Sequence, residues 1–193
     1  MNIFFLSSNP IIAAMMMCDK HIIKMILESA QILSTVYCLL SQNYHYIDQG
    51  LVYGPMRSYI NNPAVIWTMT SSANFQWLLA HAYALVREHV HRYNPKQIHK
   101  SSHIITFILD DFENIERLFK QHHPTPPALI MPKECMISKN AVACYRYFYR
   151  HDKQDFAEWK KTRSRPDWWS KVPFDQKLAD QLSEKRKKRL SKK

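Results

Sequence analysis

An all-α fold is what this sequence predicts: a single-domain bundle of about five helices, with a short extended N-terminal segment and a basic C-terminal tail. Three observations carry that prediction. Only two of the 193 residues are glycine, too few for the positive-φ turns that a hairpin-rich sheet protein needs. Apolar residues recur at three- and four-residue spacing along most of the chain. Hydrophobic residues make up 46% of the sequence and charged residues 22%, enough apolar mass for one core, and the length fits one domain with a tail. The glycine count also excludes folds built on a Gly-rich phosphate loop, since neither G-x-G-x-x-G nor G-x-x-x-x-G-K-[ST] occurs.

Each element follows in order. Asn2 to Leu6 reads as a short strand or extended lead-in. Ser8 or Asn9 is placed to cap a helix whose first position is Pro10, and the helical pattern then continues to about Gln42, with a possible break at Cys18. Residues 43–62 hold both glycines and read as a loop. Pro63 after Asn62 restarts the helix. Ser71 or Ser72 caps another, with Trp77, Ala80, Ala84 and Leu85 at helical spacing, and Asn94-Pro95 ends it. Lys96 to about His122 reads as one amphipathic helix. The segment 124–132, PTPPALIMP, is an extended connector. Residues 138–161 return to helix and RSRPDWW breaks it. The chain divides into a helical catalytic and nucleic-acid-binding domain, 1–170, and a basic tail, 171–193.

The net charge is +11, and it is unevenly spread. Residues 1–95 carry five basic and four acidic side chains, residues 96–170 thirteen and nine, and residues 171–193 nine and three. A surface of that sign favours a polyanion, with nucleic acid the first candidate. A Lys-rich solubilising tail is the plainer reading of the EKRKKR run at 184–189, and a nuclear-localisation signal or DNA tether the functional one. The four cysteines, Cys18, Cys38, Cys135 and Cys144, form no C-x-x-C pair and fit no zinc template. Free thiols are expected, in a reducing cytoplasmic or nuclear compartment of a host cell rather than outside it. The N-terminus has no basic residue ahead of its apolar stretch, so a signal peptide is not expected. No uninterrupted apolar run reaches spanning length, so no membrane partner is expected.

Chemistry is suggested by one helix. Between Met15 and Leu40 almost every residue is apolar, and the exceptions line up. Lys20, Lys24, Glu28 and Gln31 step by four, four and three, and His21 precedes Glu28 by seven. Such offsets share a helix face, and charge on an apolar helix must be solvated or paired. An ordinary amphipathic helix with Lys–Glu pairs accounts for the stripe. So does a cleft floor, in which Glu28 is a general acid or base, or stabilises a cation. A lysine beside a second lysine has a lowered pKa and attacks carbon as a neutral amine. The same residue types suit imine chemistry on a sugar aldehyde.

Asp19-Lys20-His21-Ile22, followed by Glu28, resembles the Asp-Gln-His-Leu…Glu helix of the phage pyrimidine-dimer DNA glycosylase/AP lyase family, with the same seven-residue step from His to Glu. Arg165-Pro166-Asp167-Trp168-Trp169 resembles that family's Arg-Pro-x-Trp-Tyr segment. The segment CDKHIIKMILESAQ is also similar to small proteins of large DNA phages. The family is small, all-α, basic and single-domain. The resemblance implies that Glu28 is catalytic and that His21 contributes to the site. The family's nucleophile is the α-amine of a threonine freed by loss of the initiator methionine. Here residue 2 is Asn, bulky for that removal, which leaves Met1, Lys20 or Lys24 to supply the amine. Leu27 and Gln31 stand where the family has arginines on this helix.

For nucleic-acid contact the sequence offers cations interleaved with aromatics. Arg146, Arg150, Lys160, Arg163, Arg165, Trp168 and Trp169 combine phosphate neutralisation with stacking planes, and the stretch from Arg163 to Trp169 reads as too polar for a core. Lys96 and Lys100 offer a further phosphate contact. Trp67, Ser71, Asn74 and Trp77 are placed to line a pocket, although tryptophans on an apolar helix usually belong to a core. His99 and His103 have metal-ligand spacing on a helix, but there is no H-E-x-x-H, so neither a metal nor a cofactor is expected. The expectation is therefore a DNA-acting enzyme of viral type that excises or processes a damaged or modified base. Its partner is double-stranded DNA with an extruded nucleotide, or single-stranded DNA. A non-enzymatic viral nucleic-acid-binding or packaging protein, or a transferase that modifies bases in viral DNA, are the alternatives.

Overall fold

The structure, a computed structural model, describes residues 1–55 and 57–191. Among them there is no strand, and eleven α-helical segments and one 3₁₀ turn are formed, so the all-α expectation holds and the count of about five does not. The extra elements are short. Helix α1 (Pro10–Met15) is capped by the Asn9 side chain, which accepts from the N–H groups of Ile11 and Ile12. Cys18 is extended and separates it from α2 (Asp19–Ser41). The loop that holds both glycines contains α3 (His45–Asp48) and α4 (Arg57–Ile60). Helix α5 (Pro63–Thr70) starts under the Asn62 cap, and α6 (Ser72–Tyr93) under Ser71, whose hydroxyl accepts from the Asn74 N–H.

The single helix expected over 96–122 is not formed. Residues 96–101 turn instead, with the Ser101 N–H donating to His99 Nδ1. Helix α7 (Ser102–Asp110) follows, then a kink at Asp111 and α8 (Phe112–Glu116). His99 and His103 therefore do not share a helix. His103 contacts the Gly50 carbonyl oxygen across the loop. After the 3₁₀ turn Lys133–Cys135 comes α9 (Ala141–Lys153), then α10 (Trp168–Lys171) and α11 (Gln176–Leu190).

Helix α6 lies against both α1 and α2, with α5 and α7 flanking α2. Helix α2 is long and apolar enough to cross a membrane by length and composition, which the count of uninterrupted apolar residues missed, because the polar stripe breaks the run. Most of it is buried within the bundle. Helices α9 and α11 form a second pair. The segment read as a basic tail is thus partly structural: Leu178, Ala179 and Leu182 are buried, and Arg186 reaches the carboxylates of Asp152 and Asp155. Its apolar stripe is only three residues wide amid charge, which hides it in the sequence. Lys192 and Lys193 lie outside the described residues. The four cysteines are free and buried.

The two helix groups are stitched by the N-terminal segment. Ile3, Phe4, Phe5 and Leu6 are all buried, without forming a strand. Phe4 takes a left-handed φ of 44°, a conformation that costs an aromatic residue about 1–3 kcal/mol and persists only where packing enforces it. Its ring is packed against His21, Phe148 and Tyr149.

One buried histidine gives a test of this packing. His81 is fully buried, its ring is stacked on Trp77 at 5.1 Å, and neither ring nitrogen has a partner among the described residues. Burial pushes its pKa down to about 3. The unfolded chain therefore takes up the proton first, and stability present above about pH 6.5 is lost as the pH falls toward the folded value. His81→Phe keeps the stack and removes the orphaned nitrogens. It is expected to raise stability by about 1–3 kcal/mol and to flatten the acid side of the stability curve. Urea melts at neutral pH and at pH 5 check both; a loss of stability would mean that the imidazole nitrogens are in use.

Candidate functional site

The polar stripe of α2 is real, but it is not wholly polar. Lys20 and Lys24 are exposed, Glu28 and Gln31 half-buried, and Ile23 and Leu27 share the solvent-facing strip with them. Glu28 is the residue on which the site converges. The Lys24 ammonium lies 3.4 Å from its Oε1, and the backbone N–H of Asn2 donates to its Oε2 at 3.1 Å. The segment preceding α1 thus lies across α2, so that the nitrogen of residue 2 faces the carboxylate. Two hydrogen bonds and a backbone turn fix it there. The Asn2 side-chain amide donates to the Ile130 carbonyl oxygen at 2.7 Å, Asn62 Nδ2 donates to the Met1 carbonyl oxygen at 3.5 Å, and the turn at Phe4 aims the chain. The sequence marks Asn2 only as bulky for Met1 removal and Asn62 only as the residue before Pro63, and gives no sign of Ile130 or of a role for any of the three at Glu28. Two of them act through the backbone, and all depend on partners far along the chain.

A cavity of about 390 Å³ opens one turn further along α2, lined by Gln31, Thr35, Tyr53, Gly54, Pro55 and Tyr59. His21 is not at the surface. Phe4, Tyr149 and Phe156 close over its ring, and it is 3% exposed. Burial, with the nearby charges of Lys153, Lys24 and Arg186, holds its pKa well below the ordinary imidazole value, so it is neutral. Its offset of seven from Glu28 puts it about two helical turns away. Lys20 Nζ lies 5.4 Å from the centre of the Phe156 ring.

The base of α2 is anchored by buried ion pairs. Asp19 accepts from Arg92 Nη1 at 3.0 Å and from the Lys160 backbone N–H at 2.8 Å. Arg92 also binds Glu88 at 2.9 Å and the carbonyl oxygens of Met15 and Met17. Arg163 completes the network on the Glu88 carboxylate at 2.5 Å. Burial alone pushes the Glu88 carboxyl up, but the hydrogen bonds from Arg163 and Arg92 outweigh it and hold the group below its usual range.

The residues expected to touch nucleic acid divide into two sets. Trp168 and Trp169 are buried. The stretch that looked too polar for a core is packed because two arginines of α9 cover its rings. Arg146 lies over Trp168 at 5.5 Å and Arg150 over Trp169 at 4.8 Å, and Arg146 also donates to the Leu6 carbonyl oxygen. These four, with Arg163, hold the protein together. Lys96, Lys100, Lys160 and Arg165 are exposed, Lys160 being paired with Glu158 at 2.8 Å. Asn74 is buried and spans Trp67 and Thr125 by hydrogen bonds, so that constellation is a clamp rather than a pocket.

A family model described as pyrimidine dimer DNA glycosylase matches residues 1–101. This match spans the residue-2 nitrogen, Glu28 and the whole of α2 and α6. The chain belongs to the pyrimidine dimer DNA glycosylase family. Neither a curated protein nor a solved structure matches it. Membership makes DNA the partner and base excision in DNA repair the general activity. The matched region ends before α7, so Tyr149, Arg163, Trp168 and Trp169 lie beyond it.

Proposed function

We propose that this protein removes a damaged base from duplex DNA and then nicks the strand through an imine with the deoxyribose. The amine is the nitrogen of residue 2; freeing it requires cleavage of Met1, although Asn2 is bulky for that step, and gives up the Asn62–Met1 hydrogen bond. The observation that carries the reading is the 3.1 Å contact between that nitrogen and Glu28. As an amide the nitrogen is not nucleophilic; as a primary amine it is. It attacks C1′ of an extruded nucleotide, and the bond from C1′ to the base breaks, its electron pair leaving with the base, which takes up a proton. The attacking nitrogen loses a proton and the sugar ring opens to the imine. Removal of a C2′ proton then expels the 3′ phosphate, and water hydrolyses the imine. Glu28 stabilises the cationic sugar and moves these protons. His21, buried and neutral, acts through Phe4 as a positioning residue. Lys20, Lys24, Lys160 and Arg165 face the phosphates, and the cavity beside Gln31 and Tyr53 lies where an extruded base would enter.

Lys24 is the second reading, because its ammonium also reaches Glu28. Borohydride trapping on ultraviolet-irradiated, abasic and undamaged duplexes separates the two. A chain beginning at Asn2 is expected to give a covalent adduct on the damaged DNAs that survives Lys24→Ala and Lys20→Ala, and a chain retaining Met1 a much weaker one. An adduct abolished by Lys24→Ala names the lysine instead. No adduct and no nicking, with salt-sensitive retention of all three duplexes, would return the protein to the DNA-binding reading.

A further inference from the structure

We propose that the basic end of α11 is a second DNA-binding element, continuous with Lys20 and Lys24 of α2, that grips the phosphate backbone through Lys187 and Lys188. The proposal takes DNA as the partner, as family membership implies, and does not depend on the reaction at Glu28. The element lies outside residues 1–101, on which the family match falls.

Helix α11 is built into the fold before it turns basic. Its Asp175 cap accepts from the Leu178 N–H, and the Asp175 N–H donates to His151 Nε2 at 2.8 Å. Leu178, Ala179 and Leu182 are buried, and the helix packs on α9. The Ser183 hydroxyl donates to Asp155 at 2.6 Å, and Arg186 reaches Asp152 and Asp155. These contacts fix the direction of the last turns. A solubilising tail needs no such anchorage.

The anchorage brings the basic end to α2. Arg186 lies 5.1 Å from the centre of the Phe156 ring, and Lys20 lies 5.4 Å from the same centre. Burial holds the Lys153 ammonium below its ordinary pKa against the pull of Asp152, and Lys24 and Arg186 push in the same direction as burial. Both helices thus present positive charge to one place. The nearby carboxylates are already engaged, since Asp152 and Asp155 hold Lys153 and Arg186. Lys20, Lys185, Lys187 and Lys188 are exposed and form no ion pair among the described residues. Lys185 and Lys188 are three apart on the helix, where like charges repel. The helix dipole favours cations at this end, but it acts within one helix and does not explain why they adjoin those of α2. A polyanion relieves the repulsion, because each lysine that meets a phosphate also releases a counterion.

The test is the salt dependence of binding to an undamaged duplex, measured with the full-length protein. Lys187→Gln/Lys188→Gln removes two exposed cations of α11. Arg117→Gln/Lys120→Gln removes the same charge from the exposed surface after α8, which adjoins the other end of α2 where Tyr37 donates to Asp111. Loss of two phosphate contacts is expected to make the slope of the logarithm of the binding constant against the logarithm of salt concentration shallower by about two. Between about 50 and 200 mM salt, wild type is then expected to lose about tenfold more affinity than the α11 variant. Lys187→Arg/Lys188→Arg and the α8 variant are expected to keep the wild-type slope, and all three to melt as wild type does. An unchanged slope for Lys187→Gln/Lys188→Gln would overturn the proposal. So would an equal change in the α8 variant, which would make the effect one of net charge. Base excision from a damaged duplex at saturating protein is read separately. Its absence in wild type would remove the reaction assigned to Glu28 and leave the binding result standing.

Discussion

Glu28→Gln is expected to bind damaged DNA as wild type does and to excise bases about 10²–10⁴-fold more slowly. The substitution is nearly isosteric. The new amide oxygen still accepts from the Asn2 N–H, so the N-terminal segment keeps its place. The ion pair with Lys24 is lost, but that lysine is 65% exposed, and such pairs contribute at most about 1 kcal/mol. The fold and the basic surface therefore survive, and what disappears is a group able to carry negative charge beside the sugar and to move protons. Single-turnover cleavage and equilibrium binding, measured on the same duplex, separate these effects. An unchanged cleavage rate would remove Glu28 from the mechanism. Weakened binding with unchanged chemistry would make it a residue that holds the N-terminus.

Parts of this arrangement were legible in the sequence and parts were not, for a physical reason. Helix starts are local: Asn9-Pro10, Asn62-Pro63 and Ser71 announce α1, α5 and α6 through side-chain caps and a fixed φ. Glu28 stands out because charge on an apolar helix is costly, a statement about one element alone. What depends on distant partners was invisible. The segment 96–101 has helical composition, but His99 and Ser101 close a turn instead. Trp168 and Trp169 sit in a polar stretch, and only Arg146 and Arg150, some twenty residues earlier in the chain, make their burial possible. His21 follows the spacing of the stripe, yet Phe4 and Phe156 roof it over. The Asn2–Glu28 contact joins a backbone N–H to a side chain 26 residues away, and no residue type signals it.

The second large effect concerns the frame that holds α2. Arg92→Ala is expected to destabilise the protein by about 3–5 kcal/mol, the usual result of breaking a buried ion pair from one side. The Arg92 side chain is wholly buried, and it serves Asp19, Glu88 and two carbonyl oxygens, one at the end of α1 and one on the turn that follows it. Its removal strands Asp19 with only the Lys160 N–H, and leaves Glu88 to Arg163. The pH dependence follows with a definite sign. Because the folded Glu88 carboxyl lies below its ordinary value, its contribution is fully present above about pH 4.3 and is lost as the pH falls through the folded value. Glu88→Gln should therefore lower stability at neutral pH and flatten the acid limb. Arg92→Ala should steepen the neutral loss, since one carboxylate remains charged and under-paired. Urea unfolding between pH 3 and 7 reads both. A loss below about 1 kcal/mol for Arg92→Ala, the level of an exposed pair, would mean that water reaches this network. In that case the segment from Glu158 to Arg165 is held to α2 chiefly by the two hydrogen bonds that Asp19 makes with the backbone of Glu158 and Lys160, and the arginine adds little to them.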